Sequence, residues 1–87
     1  MTIKDFQQFI RRQYYARDRQ RGTPGTFLWF VEEVGELASA LGGEDQAHKE
    51  EEFADVFAWL CTLANINDVD IESAIQKYTV RGVQGFK

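Results

Sequence analysis

At 87 residues the chain has room for one domain, spanning 1–87. Its hydrophobic fraction of 44% is that of a globular protein. Its net charge of -4 excludes a general binder of nucleic acid polymers or anionic membranes, which needs a basic patch. Cys61 is the only cysteine, so neither an intramolecular disulfide nor a thiolate metal site is available. No apolar run approaches the ~20 residues of a membrane span, and no signal-peptide pattern opens the chain. A cytoplasmic protein is therefore expected. A domain this small has a limited core, so self-association is expected to supply further burial.

Turn-forming residues divide the chain into four helix-sized pieces: "RGTPG" (21–25), "GGED" (42–45), "NINDVD" (65–70) and the glycines Gly82 and Gly85. The first piece runs from about Thr2, a suitable N-cap, to Gln20, with Ile3, Phe6, Ile10 and Tyr14 at helical spacing. The second starts near Pro24 with Thr23 as cap, and proline suits the first helical position. Its apolar stripe is Phe27, Phe30, Val31, Val34, Leu37, Ala38 and Leu41. The third runs from about Asp45 to Ala64, with Phe53, Val56, Phe57, Leu60 and Ala64 as its stripe. The fourth starts near Asp70 and carries Ile71, Ala74, Ile75 and Tyr78. No segment alternates as a strand would. The expected fold is all-α: an antiparallel helical hairpin with flanking helices, assembling into a four-helix-type bundle in a homo-oligomer.

The second and third helices each carry a pair of acids off the apolar stripe. Glu33 and Glu36 are one turn apart, and Glu52 and Asp55 repeat that spacing. Solvated helix faces would account for such pairs, but the tryptophans argue otherwise. Trp29 lies four residues before Glu33, and Trp59 four residues after Asp55, each on the acidic side of its helix. A large indole on a purely solvated face exposes apolar area to water. An antiparallel hairpin centred on position 44 pairs Trp29 with Trp59, Glu33 with Asp55 and Glu36 with Glu52. On the apolar side it pairs Val31 with Phe57 and Val34 with Ala54. Four carboxylates at one level repel each other and raise each other's pKa values. No lysine or arginine lies among them, so a metal ion is the expected neutraliser. All-oxygen ligation suits Mg²⁺ or Mn²⁺, which also bind phosphate substrates. Zinc would want His or Cys, and His48 reads as a surface residue near the turn.

The pattern E-E-x-x-E followed by E-x-x-D, here Glu32-Glu33-Val34-Gly35-Glu36 and Glu52-Phe53-Ala54-Asp55, resembles the signature of MazG-type, all-α nucleotide pyrophosphohydrolases. "ELASAL" and "DVFAWL" are also similar to that family, and the resemblance covers residues 26 to about 81. It implies Mg²⁺-dependent hydrolysis of nucleoside triphosphates to the monophosphate and pyrophosphate, in dimers or tetramers. By motif position Glu33, Glu36, Glu52 and Asp55 correspond to metal ligands. Glu32 corresponds to an additional acid, which with Glu33 is a candidate for orienting or deprotonating water. The family's basic residues on the last helix are loosely matched by Lys77 and Arg81. Trp29 or Trp59 is a candidate for stacking on the base, with Trp29 favoured because its half of the motif matches better. Asn65 and Asn67 could read a base edge, although turn chemistry explains them. The basic run "RRQYYARDRQRG" (11–22) reads as a solvated helix end.

Three alternatives stand beside this. A phosphoribosyl-ATP or dUTP/dCTP pyrophosphatase would have a similar site and another substrate. A di-iron carboxylate bundle would need Glu-x-x-His pairs, which the chain lacks. A non-catalytic helical oligomerisation module would explain the apolar stripes but not the matched acids.

Overall fold

The computed structural model describes residues 1–80 and 82. The first helix, α1 (Ile3–Leu41), is broken at Gly22, whose φ of 81° and ψ of 171° are non-helical. That region is essentially open to glycine alone. Pro24 follows at once, where its missing N–H falls in the unpaired first turn of the second arm. The two helices expected on either side of "RGTPG" are therefore present, separated by one residue rather than a loop. Thr2 caps the first arm through a capping box: Asp5 N–H donates to Thr2 Oγ1 at 3.0 Å, and Thr2 N–H donates to Asp5 Oδ2 at 3.0 Å.

After a turn containing Gly42 and Gly43, α2 (Gln46–Ile66) begins at Asp45, whose side chain accepts from His48 N–H. The expected cap at Asp70 is also present, accepting from Ser73 N–H. The fourth helix is not continuous, however. It consists of α3 (Ile71–Ala74) and α4 (Gln76–Thr79), parted at Ile75. No strand occurs among the described residues, and the molecule is all-α.

Both arms of α1 pack on α2. Phe6 stacks on Phe57 at 5.6 Å between centroids, and Ile10 is buried. Beside them, buried Gln7 and Asn65 tie the first arm to the end of α2. Gln7 Nε2 donates to Asn65 Oδ1 at 3.0 Å and to the Val69 carbonyl, while Asn65 Nδ2 donates to the Gln7 carbonyl at 3.2 Å. Gln7 Oε1 also accepts from Ile71 N–H, which fixes α3. Asn67 Nδ2 donates to Thr23 Oγ1, joining the end of α2 to the start of the second arm. The two asparagines thus secure the fold, Asn67 locally at the C-cap of α2 and Asn65 through bonds across to the first arm.

One expectation holds only in part: Phe30 and Leu37 of the second arm's stripe, and Val56, Phe57 and Ala64 of α2, are buried or half-buried, but the rest of the stripe is not. The second arm turns Thr26, Phe30, Glu33, Leu37 and Ala40 inward, all buried or half-buried. The neighbouring stripe of Phe27, Val31, Val34, Ala38 and Leu41 is exposed, as are Phe53 and Leu60 of α2. Val31–Phe57 and Val34–Ala54 are therefore not core pairs: Val31, Val34 and Ala54 are exposed. The reason is that the second arm is apolar over a wide arc. Hydropathy marks the whole arc, while the hairpin buries only the side carrying the acids and the indole partner.

Candidate active site

The acid pairs sit on facing sides of α1 and α2 because the short turn at 42–45 sets an antiparallel register. The register is fixed by the indoles: Trp29 and Trp59 stack with centroids 6.1 Å apart and planes 15° apart. One turn further toward the hairpin bend the carboxylates meet. Oxygens of Glu33, Glu36 and Glu52 all lie within 4.8 Å of one another, and so do oxygens of Glu51, Glu52 and Asp55. Glu52 is shared by both groups and is 6% exposed.

This concentration of charge perturbs its members. The Glu33 carboxyl is raised from its ordinary value, first by burial, then by the neighbouring charges of Glu36, Asp55 and Glu52. Glu52 is raised by burial, then by Glu36 and Asp55, with His48 acting in the opposite direction. His48 Nε2 stands 3.5 Å from Glu52 Oε1. The other oxygen of Glu52, and Oε2 of Glu33, are buried without any hydrogen-bond partner. Buried carboxylate oxygens left without a donor are costly. A hard divalent cation satisfies such oxygens, and the donor set, all carboxylate, fits one.

The remaining candidates are more dispersed. Glu32 is exposed and belongs to neither acidic group. Lys77 lies in α4 with its Nζ 4.9 Å from the Tyr78 ring centroid. Arg81 lies outside the described residues. Trp29 remains 47% exposed, while Trp59 is half-buried between neighbours, with the Arg21 guanidinium 5.1 Å from its ring centroid.

Two residues escaped the sequence reading. Glu51 joins Glu52 and Asp55, and its signal was present as an i, i+4 relation to Asp55. Asp18 is buried near Trp59; its i, i+3 spacing to Arg21 was a local signal of an ion pair, but its burial depends on the first arm folding back on α2.

Residues 23–82 match the family model for the MazG nucleotide pyrophosphohydrolase domain, which is well over half of the chain. The chain belongs to the MazG family. The match covers both acid pairs and both tryptophans, while the first arm of α1 lies outside it. MazG membership supports a nucleotide pyrophosphohydrolase, a hydrolase, as the kind of enzyme. No curated protein matches the chain.

Proposed function

We propose that the chain, as one domain over 1–87, hydrolyses a nucleoside triphosphate or its deoxy form to the monophosphate and pyrophosphate, with Mg²⁺ or, in its place, Mn²⁺. The observation that carries this is the shared carboxylate layer with its two buried oxygens lacking donors. Glu33, Glu36, Glu52 and Asp55 are the ligand set, and Glu51 stands close enough to complete it on the α2 side. The cation, when bound, would neutralise phosphate oxygens and lower the pKa of a coordinated water.

The chain's own residues then have distinct tasks. Glu52, buried and shared by both groups, would join the acids of α1 and α2 in one ligand set. Glu33 is half-buried and has its carboxylate beside those of Glu36 and Glu52. It or the adjacent Glu32 would accept the proton of the attacking water. In the reaction a water oxygen bonds to the α-phosphorus, the bond from that phosphorus to the bridging oxygen breaks, and pyrophosphate departs. Lys77 and Arg81 are candidates for receiving its charge. The indoles lie about 6 Å along the helix axis from the acids, four residues at ~1.5 Å each, which is within a nucleotide's span.

The exposed stripe of Phe27, Val31, Val34, Leu41, Phe53 and Leu60 supports a homodimer or homotetramer, in which a second copy covers it. The test of the activity is a screen of nucleoside triphosphates with Mg²⁺ for pyrophosphate release. Release from at least one of them, abolished by EDTA, is expected. A folded, cation-binding protein that releases none would refute the proposal.

A further inference from the structure

Beside Trp59, on the side of the first arm, lies a cavity of about 300 Å³ lined by Ile10, Tyr14, Arg17, Asp18, Arg21 and Thr62, with Trp59 as its wall. It is at the small end of the roughly 300–1,000 Å³ of ligand pockets, the scale of a ring system rather than a whole nucleotide. It opens along α2 between positions 58 and 62, three to seven residues from Asp55. At ~1.5 Å per residue that is about 5–10 Å from the carboxylate layer.

Asp18 is the unexplained group in this cavity. It is only 3% exposed. Its Oδ1 accepts from Arg21 Nη2 at 2.6 Å, and Arg21 Nε donates to Thr26 Oγ1 at 3.0 Å, so one guanidinium spans the break at Gly22 and fixes the carboxylate. Its Oδ2 is buried and has no partner. The ion pair with Arg21 leaves that oxygen without a donor, which is unfavourable for a buried carboxylate. Of the cavity's cations, Arg21 is engaged with Asp18 and Trp59, and Arg17 stands over the Tyr14 ring at 5.3 Å. The free carboxylate oxygen opposes a phosphate. What suits the cavity is a flat, neutral ring that offers an N–H.

We propose that this cavity receives the nucleobase, and that Asp18 Oδ2 selects bases bearing an exocyclic amino group. The assignment presupposes the pyrophosphohydrolase activity proposed for the same protein. Cytosine presents an N4 amino donor where uracil presents the O4 acceptor, so a carboxylate fixed at that edge attracts the first and repels the second. Trp59, rather than Trp29, is then the indole against the base. Asp18 acts on the base and not on the reacting phosphorus.

Two measurements decide it. In the first, kcat/KM is compared for dCTP and dUTP with Mg²⁺, in the wild-type protein and in Asp18→Asn. The wild type should prefer dCTP by about tenfold or more, the effect of one hydrogen bond to a charged acceptor. Asp18→Asn should bring the preference within about twofold or reverse it, since an amide can donate to O4. Equal use of both substrates by the wild type, or the same preference in Asp18→Asn, overturns the proposal. In the second, cytidine and uridine are titrated without metal while the indole N–H signals are followed by NMR, assigned with Trp29→Phe. Cytidine should move the Trp59 signal at concentrations where uridine does not. An unmoved signal, or equal shifts, overturns it. If no triphosphate is hydrolysed, the proposed activity fails, and the titration still decides the role of the cavity. If Asp18→Asn does not fold, the wild-type comparisons decide.

Discussion

Trp29 and Trp59 stack with nearly parallel rings, their centroids 6.1 Å apart, and this contact holds the hairpin in the register that superimposes the two acid pairs. Aromatic pairs of this kind add about 0.5–1.5 kcal/mol beyond the area they bury. A double-mutant cycle with Trp29→Ala and Trp59→Ala, by urea denaturation at fixed protein concentration, should give a coupling energy in that range. A coupling near zero would mean that the indoles do not hold the register in solution.

Glu52 should weaken the metal-free protein at neutral pH. Its carboxyl, like that of Glu33, is raised above the ordinary value of 4.5 by burial and by its acidic neighbours. Between 4.5 and the raised values the native state binds more protons than the unfolded chain, so stability falls as pH rises through that window. Below 4.5 both states are protonated and the penalty vanishes. Glu52→Gln in EDTA should therefore melt higher than wild type at pH 7, with the gap closing as the pH approaches 4.5. A variant that melts lower at pH 7 would contradict the cause assigned to the shift.

Removing a ligand should have the opposite effect on function. Glu36→Ala or Asp55→Ala should abolish Mg²⁺-dependent turnover while leaving the helical circular dichroism intact. Mg²⁺ should raise the melting temperature of the wild type and leave that of either variant nearly unchanged. Turnover close to wild type in either variant would remove that residue from the ligand set.

The outward apolar stripe gives a prediction about assembly. Phe53 is 57% exposed in the single chain and stands with Leu60 on that side of α2. Light scattering at micromolar concentration should show an oligomer, and Phe53→Glu should shift it toward the monomer by placing a charge in an apolar contact. A wild-type monomer of 10.1 kDa would contradict the assembly.

Much of this architecture was legible in local chemistry. Thr2, Asp45 and Asp70 cap where side chains of their kind bond to a following N–H, and Gly22 with Pro24 breaks α1 where a helix cannot continue. The acid register was legible because four residues of helix separate each indole from its carboxylate on both strands of the hairpin. The direction of the apolar stripe was not, since periodicity shows which arc of a helix is dry and not what covers it. Asp18 and the Gln7–Asn65 pair were hidden for another reason. Gln7 and Asn65 meet only when the first arm returns onto α2, and that return also buries Asp18, whose own partner Arg21 is a local i, i+3 neighbour. The division of the last helix at Ile75 carries no glycine or proline signal, and we have no physical account of it.

The position of water attack tests the central claim most directly. The preferred nucleoside triphosphate is hydrolysed with Mg²⁺ in ¹⁸O-enriched water, and the products are read by ³¹P NMR and mass spectrometry. Attack at the α-phosphorus places the label in the nucleoside monophosphate, with unlabelled pyrophosphate as the only other product, and that is the expected result. Label in the pyrophosphate, or release of orthophosphate with a nucleoside diphosphate, would place the cleavage at another bond and contradict the account.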